Sequence, residues 1–207
     1  RIVLNIGGIA NVTLLEIDTS KAVLGYDTGP GNVLMDSWCQ RHLGKSHDKN
    51  GDWARSGIVD QQLLERLLET DYLKQPPPKS TGRELFHIGW LDQQLVSMSV
   101  NAVDVQATLL EFTARSICDA VRQHQLGNLE LFVCGGGAKN RFLIERLSQL
   151  LTPVKVEMTD ALGLPSEWLE AIAFAWLAKA CLEKTPANLP SVTGARGRRI
   201  LGAIYQA

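Results

Sequence analysis

The sequence predicts an α/β domain with a central mixed sheet and flanking helices. Short apolar runs of strand length alternate with longer stretches of helical periodicity. Glycine-rich turns punctuate the chain at Gly7-Gly8, Gly29-Pro30-Gly31 and Gly135-Gly136-Gly137, each next to a strand-like run.

In chain order, Ile2-Val3-Leu4 and Val12-Thr13-Leu14-Leu15 flank the turn Asn5-Ile6-Gly7-Gly8-Ile9-Ala10-Asn11 and read as a hairpin. Ala22-Val23-Leu24 reads as the next strand, carrying Asp27 off its end into the turn Gly25-Tyr26-Asp27-Thr28-Gly29-Pro30-Gly31-Asn32. A helix follows through Val33, Leu34, Met35 and Trp38, with Pro30 and Asn32 as start signals. Freed amides at such a start favour an anionic ligand, and Asp27 would face it. The alternative for Asp27 is a simple turn cap.

Residues from Gly44 to Gly57 are polar and loop-like, and Asp60 is placed to cap a leucine-patterned helix to Leu68. Pro76-Pro77-Pro78 ends any helix and leads into Lys79-Ser80-Thr81-Gly82-Arg83-Glu84, a donor cluster that suits a phosphate or carboxylate, with a solvated loop as the alternative. The whole of 44–100 reads as a loop-rich segment or insertion. Within it, Trp90 to Ser97 suggests a short helix. The clearest helical pattern runs from Asp104 to Gln125, with Val105, Leu109, Phe112, Ser116 and Cys118 to Val121 on a buried stripe.

Leu129 to Cys134 reads as a buried strand delivering Gly135-Gly136-Gly137, the backbone expected where a nucleotide approaches closely, and a helix through Phe142, Leu143, Leu147 and Leu150 follows. Lys155 to Met158 suggests another strand. Ser166 is expected to open a helix with Glu167 and Glu170 on one face; dipole complementation explains Glu167, while Glu170 adjoins the small and apolar run Ala171 to Trp176 and would border a cleft. Ile200 to Tyr205 would add a last strand.

Composition bounds the rest. The 207 residues, 45% of them hydrophobic, allow one sizeable domain or two small lobes. A net charge of −1 gives no case for a nucleic-acid surface, and the cluster Arg196, Arg198 and Arg199 reads as a solvated loop. Apolar stretches are interrupted before a bilayer span is reached, so no membrane partner is expected. Cys39, Cys118, Cys134 and Cys181 are dispersed without a Cys-x-x-Cys pair, which fits a reduced, cytoplasmic setting and suggests neither zinc nor disulfides; Cys39 and His42 receive no chemistry. The start at Arg1, directly in a strand pattern, suggests a piece of a longer polypeptide.

Six stretches together resemble one family, the anhydro-N-acetylmuramic acid kinases of bacterial cell-wall recycling. They are Asn5 to Asn11, Tyr26 to Asn32, Lys79 to Glu84, Cys134 to Gly137, Glu170 to Trp176, and Leu189 to Ala195. The resemblance runs over residues 1–207 and is to the second half of a family member, so the chain would be the C-terminal lobe of a sugar kinase of the heat-shock ATPase and actin superfamily. It implies a ribonuclease-H-like (actin-like ATPase) fold, with the N-terminal lobe and its phosphate loop absent and little turnover from the isolated stretch.

The implied reaction has water opening the 1,6-anhydro ring while O6 takes the γ-phosphate of ATP, giving N-acetylmuramic acid 6-phosphate. The resemblance makes Asp27 the catalytic base toward water and Glu170 an acidic sugar contact. Gly7, Gly8, Asn11, Gly29, Gly31, Asn32, Gly135, Gly136 and Gly137 are the nucleotide candidates. Mg2+ is expected with ATP, with no metal ligand assigned because phosphate oxygens and water hold much of such an ion. A homodimer is a further expectation. The alternatives are another sugar or carboxylate kinase of the superfamily, separable by a substrate panel, or a non-catalytic nucleotide-binding fragment, which would bind ATP without turning over sugar.

Overall fold

Three antiparallel strands begin the chain: β1 (Ile2–Ile6), β2 (Ile9–Leu14) and β3 (Leu24–Pro30). The computed structural model describes residues 1–16, 18, 20–124 and 129–205. The expected hairpin is present, with Ile6 paired to Ala10 around Gly7-Gly8 and Ile2 paired to Leu14. One expectation is corrected here. The strand does not end at Leu24 but starts there, because Gly25 to Pro30 pairs with β2 along its length, so Asp27 lies inside an edge strand rather than in a turn.

Helix α1 (Val33–Leu43) follows, left-handed Gly44 closing it. The stretch 44–100 then contributes α2 (Asp52–Arg55), α3 (Gln61–Leu68), α4 (Asp71–Lys74) and α5 (Ile88–Leu95). Their starts are held by local side chains: Asp48 accepts from the amides of Trp53 and Ala54, both at 2.9 Å, and Asp60 caps α3 as expected, accepting from Leu63 at 2.8 Å.

Helix α6 (Ala102–Arg122) is buried on nearly every side rather than along a stripe, because the sheet lies on one flank and α1, α2, α3 and α7 (Arg141–Leu151) lie around the others. Gln125, where the sequence pattern ended this helix, lies outside the described residues. Strand β4 (Glu130–Cys134) precedes α7, and β5 (Lys155–Met158) follows it; both pair in parallel. The sheet order is β3-β2-β1-β4-β5. An antiparallel meander extended by two strands parallel to its first strand is the ribonuclease-H-like arrangement expected above.

The last helices are α8 (Leu169–Leu182) and α9 (Pro190–Thr193). Helix α8 opens at Leu169, not Ser166, so Glu167 stands before the helix and Glu170 is its first-turn acid. The expected strand at Ile200 to Tyr205 is absent among the described residues. At the start of β3 the neighbour is α9: Ser191 Oγ donates to Val23 O at 2.9 Å, and Val192 packs on Gly25.

The core sits on one face of the sheet. Ile2, Leu4 and Ile6 of β1 and Ala10 and Val12 of β2 are fully sealed against Leu109, Phe112, Leu143 and Leu147. Side chains alternate along a strand, so Val3, Asn5, Asn11 and Thr13 point to the other face. That face is only partly covered.

Candidate active site

The register aligns polar side chains across the open face. Asn5 of β1 pairs with Asn11 of β2, Asn11 pairs with Asp27 of β3, and Cys134 of β4 pairs with Asn5 on the other side. Directly opposed residues share a face, which makes Asn5, Asn11 and Asp27 a row across three strands.

Asp27 is held by the loop that the sequence marked as a carboxylate or phosphate holder. Its Oδ2 accepts from Ser80 Oγ and from the Thr81 amide, both at 2.9 Å. Its own amide donates to Lys79 O at 3.1 Å, and Tyr72 OH donates to Asp27 O at 2.8 Å. The carboxylate that this loop grips is therefore the chain's own. Lys79 is not presented to a ligand: its Nζ donates to Tyr72 O and Leu73 O at 3.1 and 3.0 Å, and burial lowers its pKa. Burial also raises the Tyr72 phenol, followed by the nearby charge of Asp27.

A cavity of about 730 Å³ opens between this face and α8, lined by Asn5, Gly7, Gly8, Asn11, Gly135, Gly136 and Glu170, among others. Lys139 and Glu167, from opposite walls, pair across it at 2.8 Å. Cys134 is also in the lining, but burial pushes its thiol up to about 11 and its Sγ donates to Leu4 O at 3.6 Å, so it stays protonated near neutral pH.

A second cavity, about 680 Å³, shares Gly136 and Lys139 with the first and is lined by Asn32, Asp36, His47, Asp48, Gly137 and Asn140. Asp36 there is pushed up to about 6, first by burial, with His47 pulling down and Asp48 pushing up.

The predicted residues thus divide. Gly7, Gly8, Asn11, Gly135, Gly136 and Glu170 meet in the first cavity, while Asn32, Gly136 and Gly137 line the second. Asp27 sits one strand beyond Asn11 on the same face. Gly29 and Gly31 are buried. A Cβ on Gly29 would press on Leu73 and Ser116, and one on Gly31 would collide with Gly7 O.

The amides leading into α1 are taken up within the chain, where the sequence reading expected them to be free for a ligand. Gly31 and Val33 donate to Gly8 O at 2.9 and 3.1 Å, and Asn32 donates to Gly7 O at 2.8 Å. The hairpin turn and the helix start therefore lock each other, and Thr113 Oγ1 ties Gly31 O to α6 at 3.1 Å. Gly135 has the backbone reason for its residue type, a φ of 82° and no room for a Cβ beside Asn5 and Ile6 O.

Sequence reading passed over Asn5, Ser80 and Thr81 as individual site residues. Asn5 carried a signal, a polar residue alternating with Leu4 and Ile6 in an apolar strand; the link from Ser80 to Asp27 spans 53 positions and carried none.

The sheet order is that of the ribonuclease-H-like (actin-like ATPase) fold, and a glycine-lined cleft lies on its open face. The chain belongs to the anhydro-N-acetylmuramic acid kinase family, whose model matches residues 1–207. An anhydro-N-acetylmuramic acid kinase of Coxiella burnetii (strain Dugway 5J108-111) is 51% identical over 205 residues, covering 99% of this chain and 55% of that relative. One from Pseudomonas savastanoi pv. phaseolicola is also 51% identical, over 208 residues, covering 100% of this chain and 57% of the relative. The chain spans about half the length of the curated relatives it matches. Among solved structures, the activator of 2-hydroxyisocaproyl-CoA dehydratase from Clostridium difficile with bound ADPNP aligns at a TM-score of 0.48 and 13% identity, covering 77% of this chain and 54% of that one.

Proposed function

We propose that this chain is the C-terminal lobe of an ATP-dependent kinase that hydrolytically opens 1,6-anhydro-N-acetylmuramic acid and phosphorylates O6, giving N-acetylmuramic acid 6-phosphate in murein recycling in the cytoplasm. The observation that carries the reading is the Asp27 carboxylate, gripped by Ser80 and Thr81 one strand beyond Asn11, which itself lines the glycine-walled cavity that also holds Glu170.

In this reading Asp27 takes a proton from water as its oxygen bonds to the anomeric carbon. The C1–O6 bond breaks, and O6 takes the γ-phosphoryl group, with ADP leaving. Ser80 and Thr81 fix the carboxylate in one rotamer, and a carboxylate fixed by donors on one oxygen keeps the other for the water. Glu170 binds the sugar from the α8 side.

The nucleotide lies along Gly135 to Gly137, where Gly136 borders both cavities and the backbone has no side chain to hold a ligand away. No group of three or more His, Cys, Asp or Glu side chains suited to a metal occurs among the described residues, so Mg2+ would arrive with ATP and be held largely by phosphate oxygens and water. Bound there, it would neutralise phosphate charge.

The test is coupled ADP release by the full-length polypeptide with ATP and a panel of sugars. Release dependent on the anhydro sugar is expected, and Glu170→Gln should raise the KM for sugar while leaving that for ATP unchanged. Release that does not depend on the anhydro sugar, or equal release with ordinary hexoses, overturns the reading. The 1–207 stretch alone should turn over little; a rate matching the full-length protein overturns its assignment as a lobe.

A further inference from the structure

The two cavities meet at Gly136 and Lys139, which line both. Lys139 closes the single 3-10 turn Gly136–Lys139, so the glycine backbone beside which the nucleotide is placed also carries this amine. Among the described residues it is the one lysine or arginine in the lining of the first cavity, where Glu167 and Glu170 are the acids. A polyphosphate reaching into that cavity meets two carboxylates there, and the Lys139 ammonium is what the lining offers to offset them.

The amine is engaged elsewhere. Its Nζ lies 2.8 Å from Glu167 Oε1 on the opposite wall, and the two side chains are 67% and 61% exposed. A pair so exposed adds little to stability, because water screens the charges and two long side chains lose freedom in forming it. It is therefore easily exchanged, and a di- or triphosphate presents several negative charges against the single one of Glu167.

We propose that Lys139 binds the phosphates of the nucleotide and that Glu167 is its displaceable counter-ion. In the empty site Glu167 holds the amine across the cavity; a nucleoside di- or triphosphate takes it over, and Glu167 is released to water. Glu167 thus lowers nucleotide affinity without touching the nucleotide. The nucleotide position is that of the proposed function, on which this assignment rests.

The test is calorimetric titration of the full-length polypeptide, without sugar, with ADP and with adenosine. Lys139→Gln should weaken ADP binding by roughly 10-fold to 100-fold, the loss of a hydrogen bond to a charged group, and Lys139→Arg should restore most of it. Glu167→Gln should act with the opposite sign, tightening ADP by roughly 2-fold to 5-fold, the strength of an exposed pair. In the double variant that gain should vanish, because Glu167 acts through Lys139. Adenosine, which has no phosphate, should bind every variant alike. A purely structural pair would move both single variants in the same direction or neither, and that result overturns the proposal. So does a gain from Glu167→Gln that persists in the double variant, which would make Glu167 a general repulsive charge, or an equal loss of adenosine in Lys139→Gln, which would put the amine on the nucleoside. A wild-type polypeptide that binds no ADP ends the nucleotide reading and this assignment together, whereas ADP binding without the opposite signs ends the assignment alone.

Discussion

The two faces of the sheet are made by the same strands and have opposite chemistry. On one, Ile2, Leu4, Ile6, Ala10 and Val12 are sealed beneath α6 and α7; on the other, Val3, Asn5, Asn11 and Asp27 border solvent, a cavity and the loop at Ser80. Burying a large aliphatic side chain contributes roughly 1.5–3 kcal/mol, so the first face supplies rigidity. The second can carry polar groups because they stay near water, and the rigid backbone behind them fixes their spacing. Stability and activity should therefore separate by face, and the substitutions below are chosen to break that separation.

The largest effect is expected at the open face. In the full-length polypeptide, Asp27→Asn keeps the shape and removes the proposed base, so turnover should fall by roughly 10²-fold to 10⁴-fold with folding and ATP binding retained, as followed by ADP release and nucleotide titration. Near-normal turnover would sink the base assignment, and joint loss of folding and binding would make Asp27 a structural cap.

The packed face should show the reverse. Leu4→Ala, at a fully buried position, should cost about 2–5 kcal/mol in urea unfolding. Asn11→Ala, on the other face and next in sequence to Leu4's partner Val12, should stay within about 0.5 kcal/mol. Equal losses would end the contrast.

Ser80→Ala sharpens it on a finer scale. One donor to Asp27 Oδ2 goes and the Thr81 amide remains, so turnover should drop by about 5-fold, the equivalent of one hydrogen bond near 1 kcal/mol, while Tm is unchanged.

The smallest effect is a pH dependence at Asp36. Burial raises its folded pKa from 3.8 to about 6, so the folded protein holds this proton more tightly than the unfolded chain. Its favourable contribution is complete below 3.8 and is lost as pH rises through about 6. Asp36→Asn should flatten that slope and stabilise the protein at pH 7 by about 1 kcal/mol, the full shift being discounted because the group is partly solvated. Denaturant titrations at pH 4 and pH 7 check it, and an unaltered difference between the two pH values counts against the burial.

Much of the fold was legible because local rules decide it. Alternation in Ile2 to Ile6, the Gly7-Gly8 turn, the Asp60 cap and the glycine run after Cys134 each act within a few residues. The misreadings have one cause in common. Gly25 to Pro30 has turn composition, yet β2 beside it satisfies its backbone and makes it a strand. The tail at Ile200 has strand composition and pairs with no strand among the described residues. Composition states a preference, and the availability of a partner overrides it.

By itself the sequence determined the α/β class, the three glycine turns and the candidate residues, since periodicity and turn chemistry are properties of neighbouring residues. Only the tertiary structure decided that Gly29 and Gly31 pack rather than face the cleft, that the amides of Gly31, Asn32 and Val33 serve Gly7 and Gly8, and that Ser80 reaches Asp27. Those outcomes depend on segments far apart in the chain competing for the same donors, acceptors and space, and such competition is settled when the chain closes on itself.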